Sequence, residues 1–176
     1  DKRAEATANA LLDKLWTSNG VLVELNPAST EPNIFWDRGT LYALRGTFKA
    51  GFFEKSLNKL IDYSGKRLLG EHVPYPIEAF PENNMKHLSA ESALYCRLII
   101  EGMLSFEQTE FNSFSIAPQL SNEMSKINLK NLYIGDKAIS IHLQLIDDMI
   151  ETKIYLNGAE LINKQIKAGE KVNVKI

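Results

Sequence analysis

The stretch from Gly70 to His87 gathers the residues best suited to chemistry. It carries the carboxylates Glu71, Glu78 and Glu82, the histidines His72 and His87, the aromatic Tyr75, and prolines at 74, 76 and 81. A loop stiffened by prolines holds such groups in fixed positions. Hydrolysis of a glycosidic bond needs two carboxyl groups so held. One is protonated and helps the leaving oxygen depart; the other is ionised and activates water or attacks the anomeric carbon. Burial and neighbouring charges set the two apart in proton affinity. A second group lies upstream in the run from Asn33 to Thr40, where Trp36 offers a stacking surface for a sugar ring. There Asp37 supplies a further carboxyl, and Arg38 is able to clamp a carboxylate or a hydroxyl.

Each of these residues also has a plainer reading. An aspartate just ahead of a helix is commonly its N-cap. Trp36 serves equally well as core, and Glu71, Glu78 and Glu82 as solvated loop charges. His72 and His87 lack metal-ligand spacing with a cysteine or a second histidine, so no metal site is implied. No phosphate loop, dinucleotide fingerprint or Gly-x-Ser-x-Gly element occurs, so no cofactor and no serine triad is implied. Cys96 reads as a small apolar filler in a buried helix. His142, alternating with apolar residues, reads as outward-facing surface.

The elements that must position these groups fall into two unlike parts. All five arginines, both tryptophans and five of the six prolines precede residue 115, and of the Phe and Tyr residues only Tyr133 and Tyr155 follow it. The first part is helical. Ala4, Ala8, Leu11, Leu12 and Leu15 keep the helical period up to about Gly20. A second helix is expected from near Asp37 through Leu41, Leu44 and Phe48, broken at Gly51. A third follows with Phe53, Leu57, Leu60 and Ile61 on one face, closing near Gly65. A fourth runs from Ser89 to Leu104, with Glu91 on its first turn. Helices two and three are joined by a short break, which makes them antiparallel neighbours and turns both polar groups toward one end. Helix four is apolar nearly all round, so neighbours should bury it, and four helices do not obviously suffice. The second part alternates. Ile127 to Ile134, Ile139 to Leu145, Ile154 to Leu156 and Val172 to Ile176 read as strands, with turns at Gly135-Asp136 and Asn157-Gly158. The fold class is therefore α+β, with a helical part over 1–112 and a small antiparallel sheet or sandwich over 113–176.

Composition narrows the function further. The chain has 176 residues, 44% hydrophobic and 24% charged, with 22 acidic against 20 basic side chains and a net charge of −2. That is globular composition. No basic excess calls for nucleic acid or a membrane surface, and no run of about 18 apolar residues calls for a membrane span. One cysteine excludes an internal disulfide framework and is compatible with a periplasmic or secreted location. The chain starts at Asp1 within a helical pattern, without a signal peptide, and is expected to be a piece of a longer protein.

Several runs resemble the end of the catalytic domain of six-hairpin glycosidases. They are Phe35-Trp36-Asp37-Arg38-Gly39-Thr40, Pro81-Glu82-Asn83, His87-Leu88-Ser89-Ala90-Glu91-Ser92-Ala93-Leu94-Tyr95-Cys96-Arg97 and Glu101-Gly102-Met103-Leu104. The link from Phe111 to Leu120 is similar to the stretch by which such enzymes leave the helical toroid for a trailing β domain. The resemblance implies part of an (α/α)6 toroid followed by that β domain, a carbohydrate substrate, and a missing N-terminal part of the same chain. In glucoamylase-like relatives a glutamate in the loop before a late inner helix is the general base. Glu82 resembles that position, with Glu78 second. Trp36-Asp37 is similar to a general-acid site, at a shorter separation from Glu82 than in glucoamylases. Trp36, Arg38, Glu71, His72, Tyr75 and His87 would line the substrate. Two other readings of the same residues are a non-catalytic carbohydrate-binding or structural module, and a glycoside phosphorylase with a phosphate pocket of His87, Ser89 and Arg97.

Overall fold

A computed structural model describes residues 2–22, 35–69, 79–80 and 89–176. The fold is an α+β mixture that divides into two compact units, Asp1–Met103 and Leu104–Ile176. The division falls after Met103 rather than after residue 112. The reason is a strand: β5 (Glu107–Glu110) pairs with β6 (Ser113–Ile116), so the chain is committed to sheet before the composition changes.

Among its described residues the first unit has four α-helices. Helix α1 (Lys2–Ala10) runs into a π-helical turn, Leu11–Leu15. It does not reach Gly20. At Trp16 the backbone turns extended (φ −80°, ψ 129°). The two-residue strands β1 (Trp16–Thr17) and β2 (Gly20–Val21) then pair as a hairpin. Gly20 sits at φ +128°, and a Cβ there would lie 2.8 Å from Thr40 Oγ1, so both conformation and space demand glycine. A short strand β3 (Phe35–Trp36) pairs with β4 (Ala79–Phe80).

Helices α2 (Asp37–Lys49) and α3 (Phe53–Arg67) form the expected hairpin, with the break at residues 50–52. Their apolar stripes meet through Leu41, Leu44, Phe48, Phe53, Leu57 and Leu60, all buried. The rings of Phe48 and Phe53 meet edge-on at 5.5 Å. A buried hydroxyl pair, Ser56 Oγ donating to Thr47 Oγ1 at 2.7 Å, ties the two helices inside this stripe. Ile61 departs from the expected face and is 54% exposed; Tyr63 and Arg67 continue the stripe in its place.

Helix α4 (Ser89–Arg97) continues as a π-helical segment, Leu98–Met103. It packs against α2, and Gly102 allows the approach: a Cβ there would stand 3.4 Å from the Arg45 Cα. Burial covers one face only, through Leu94, Leu98 and Met103. Cys96 is exposed, not the buried filler expected. At the edge of that face Glu101 accepts two hydrogen bonds from the exposed Arg97, at 2.7 and 3.1 Å, and pairs with Arg45 of α2. The Arg97 bonds hold the Glu101 carboxyl below its usual range, partial burial opposes them, and Arg45 adds to the lowering. A folded value below the unfolded one gives stability that is present above about pH 4.5 and lost as pH falls through the lowered value. Acid titration of the unfolding midpoint should therefore show a slope below that pH which Glu101→Gln reduces. An unchanged slope in the variant would mean that the triad contributes nothing.

The second unit is a pair of antiparallel sheets. Strands β7 (Lys126–Ile134), β8 (Lys137–Ile146), β9 (Met149–Leu156) and β10 (Ala159–Ile166) form a meander, in the order β10-β9-β8-β7. Strand β11 (Val172–Lys175) joins β6 and β5 in the second sheet. Alternation sets the inner face: Ile139, Ile141 and Leu143 of β8, with Ile150 and Ile154 of β9, share one core with Phe114, Ile116, Val172 and Val174 of the other sheet. In β7 the register shifts between Leu129 and Leu132, where Asn131 takes φ 58°. This bulge restores phase, so Leu129 and Leu132 both turn toward the core. The Asn157-Gly158 turn has both residues at positive φ, 49° and 85°, as a tight hairpin requires. Asn157 Oδ1 also accepts the Ala138 N–H at 2.9 Å, locking the turn to β8. Among the described residues no helix is long and apolar enough to cross a membrane.

Candidate functional site

The polar groups of the first unit collect where the N-termini of α2 and α4 meet the C-terminus of α3. Trp36, in extended conformation, is the residue that precedes α2, and no side chain caps the helix there. Asp37 therefore occupies the first helical position rather than the cap. Its side chain turns inward and is fully buried. Arg67 Nε, from the last turn of α3, meets Oδ1 at 3.2 Å. The Tyr63 hydroxyl, one turn earlier, donates to Oδ2 at 3.0 Å.

Burial pushes the Asp37 carboxyl above its usual range, the Arg67 guanidinium and the Tyr63 hydroxyl oppose this, and the Glu91 charge adds to the rise. Tyr63 is held well above its ordinary value by burial and by the Asp37 charge, so it stays a donor. Its ring stacks on Tyr95 at 6.4 Å, and Tyr95 shares a 2.7 Å hydrogen bond with Ser64, which ties α3 to α4. Arg67 also donates to the Asn19 carbonyl, fixing the β1–β2 turn against α3.

Arg38, one residue on, takes a different partner. Its side chain is half exposed, and Nε and Nη2 converge on a single oxygen, Oε1 of Glu91, at 3.0 and 2.9 Å. Glu91 is fully buried, and its second oxygen, Oε2, has no hydrogen-bond partner among the described residues. The guanidinium suited to a carboxylate thus binds one from its own chain. Trp36 is 40% exposed, which removes the reading as core and leaves its ring available to a ligand.

The structure brings together Trp36, Asp37 and Arg38. The remaining sequence-predicted residues, Glu71, His72, Tyr75, Glu78, Glu82 and His87, lie outside the described residues. Two residues that sequence reasoning did not select, Arg67 and Glu91, prove central. Arg67 had a signal, since it falls seven residues after Leu60 on the buried stripe of α3, where a cation needs a partner. Glu91 had only the favourable place of an acid on a first helical turn, and nothing in spacing linked it to Arg38.

In the second unit His142 is half-buried on the outer face of the meander, its ring 5.1 Å from that of Tyr155. Among the described residues no group of three or more His, Cys, Asp or Glu side chains is placed to hold a metal ion. Compared with known proteins, the chain matches no family model, no curated protein and no solved structure.

Proposed function

We propose that this chain is the C-terminal part of a glycoside hydrolase of the six-hairpin type, an incomplete (α/α)6 toroid followed by a small β domain. The observation that carries this reading is the Arg38–Glu91 ion pair. It joins two sequence-distant runs that resemble such enzymes, at the first turns of α2 and α4, and Trp36, the residue before α2, is exposed. The α2–α3 hairpin is the repeating unit that a toroid of this kind would use. In the proposed reaction Glu82 activates water at the anomeric carbon, Glu78 stands second for that role, and another carboxyl protonates the leaving oxygen. Asp37, with both oxygens engaged and no exposed surface, serves to anchor α2 to α3. The acid then comes from elsewhere in the longer chain. A periplasmic or secreted location fits a glycan substrate.

The test is an assay of the full-length gene product on a panel of 4-nitrophenyl glycosides, with and without Glu82→Gln. Loss of an acid–base group should lower kcat about 10²–10⁴-fold. Activity of the variant within tenfold of wild type would remove Glu82 as base, and no hydrolysis by the wild type would remove the glycosidase reading. Sugar binding without hydrolysis would favour a carbohydrate-binding module, which the exposed Trp36 ring also suits.

A further inference from the structure

Strands β7, β8 and β9 turn polar side chains to the outer face of the meander, and a shallow groove of about 260 Å³ lies there, wholly within the second unit. Strand register sets its lining in two rows. In one row Asn128, His142 and Lys153 are cross-strand neighbours; in the next, Lys126, Gln144 and Glu151 are. Such neighbours stand about 4.5–5.5 Å apart, so each row presents its groups to one small ligand. Lys130, two residues beyond Asn128 on β7, adds a third lysine. Strands hold binding groups more precisely than loops do.

The groove is cationic on a chain that is not. Three lysines and one glutamate line it, while the whole chain carries a net charge of −2. Glu151 is answered on its own strand by Lys153, at 3.0 Å. Lys126 and Lys130 are exposed and have no ion-pair partner among the described residues. The next acid on this face, Glu160 of β10, stands opposite Tyr155 and accepts from Asn163 at 3.3 Å. An anionic ligand answers this excess of positive charge.

A bare anion does not account for the other lining groups. Asn128 and Gln144 each offer donors and an acceptor, neutral His142 offers one of each, and Glu151 only accepts. Acceptors repel an anion and suit hydroxyls. The His142 ring is half-buried and packs 5.1 Å from the Tyr155 ring, which gives the groove a supported aromatic surface among its polar groups. Cations, amides, a carboxylate and an aromatic surface together fit sugar rings that carry both carboxylates and hydroxyls. Lys126 and Lys130 are four residues apart, about 13 Å along the strand, which suits carboxylates on separate rings of a short chain. Small-molecule pockets measure about 300–1,000 Å³, so this groove takes a short chain lying partly in solvent and not a folded partner.

We infer that the outer face of the meander binds an acidic oligosaccharide, its uronate carboxylates on Lys126 and Lys130 and its hydroxyls on Asn128, Gln144 and Glu151. The site stands on the second unit alone and holds whether or not the chain hydrolyses glycosides.

The isotope-labelled full-length protein is titrated by NMR with short oligogalacturonates and oligoglucuronates. The matching neutral oligosaccharides of galactose and glucose, and inorganic phosphate, are titrated at the same ionic strength. The expected result is saturable shifts of the Asn128, His142, Gln144 and Lys153 amides with one of the oligouronides. Its neutral counterpart and phosphate should bind at least about tenfold more weakly. Lys126→Gln combined with Lys130→Gln should weaken the oligouronide about tenfold or more, and Lys175→Gln, which removes one charge from the other sheet, should leave it unchanged. Gln144→Ala should also weaken it, since the hydroxyls lose a partner. Added salt should weaken it as well, because exposed charges are screened. Equal binding of the neutral counterpart would overturn the inference. Equal binding of phosphate would overturn it too, by showing a simple anion site. So would a double lysine variant that binds as wild type, or the absence of saturable binding by any oligouronide. Self-association that broadens the same amides without ligand would mark the face as a contact between copies and would likewise overturn it.

Discussion

Replacing Arg67 by methionine is expected to destabilise the helical unit by about 3–5 kcal/mol, the effect of leaving a buried charge without its partner. The guanidinium is almost completely buried and holds three things at once. It neutralises Asp37 at the start of α2, fixes the last turn of α3, and donates to the Asn19 carbonyl in the β1–β2 turn. Methionine fills much of the same volume, so the loss reports charge and hydrogen bonds rather than a cavity. Because whole domains are stable by only about 5–15 kcal/mol, the variant should sit near its unfolding midpoint under mild conditions. Chemical denaturation followed by the Trp16 and Trp36 fluorescence measures it.

Two controls separate charge from packing. Asp37→Leu together with Arg67→Met removes both charges, and apolar replacements of buried pairs are often neutral or stabilising. The double variant should therefore be more stable than Arg67→Met alone. pH supplies the second control. Asp37 already stands above its unfolded value through burial, with Arg67 opposing the rise. Without Arg67 it rises further. A carboxyl with a folded value above the unfolded one binds protons more readily when folded, so stability falls as pH rises through the interval between them. The gap between Arg67→Met and wild type should therefore narrow as pH is lowered from 7 toward 4. A constant gap would mean that the side chain acts by packing alone.

The behaviour of this pair shows where sequence reading succeeds and where it stops. Periodicity placed α2, α3, α4 and the alternating strands, because each element buries one face and the burial imprints its own period. It failed at Asp37 for a physical reason. A cap and a first-turn ion pair differ by one residue of register, and the choice was made by Arg67, thirty positions away. It failed at Ile61 and Cys96 because apolar character does not compel burial; each lies on a helix flank that the described neighbours leave open. The carboxylate-rich loop was legible as composition only. The contact that ties the start of α2 to the first turn of α4, Arg38 to Glu91, spans 53 positions and has no local signature.

The second unit offers an equally large effect. Phe114→Ala should cost about 3–5 kcal/mol, as do buried aromatic truncations generally. Phe114 is fully buried in β6, opposite Val174 of β11, and stacked on Phe106 at 5.0 Å. It belongs to the same core as Ile139, Ile141, Ile150 and Ile154 of the meander, so removing its ring opens a gap between the two sheets rather than at an edge. A unit this small, Leu104–Ile176, buries a modest share of its surface and has little stability to spare. The variant should lose the dispersed isoleucine methyl resonances of β8 and β9 at temperatures where wild type keeps them. Phe114→Leu, which retains more of the volume, should lose less. Since the two units have separate cores, the Asp37–Arg67–Tyr63 cluster should keep its own resonances while those methyls collapse. A loss below 1 kcal/mol would show that the sheets do not depend on a shared core. Simultaneous collapse of the helical cluster would show that the two units fold as one.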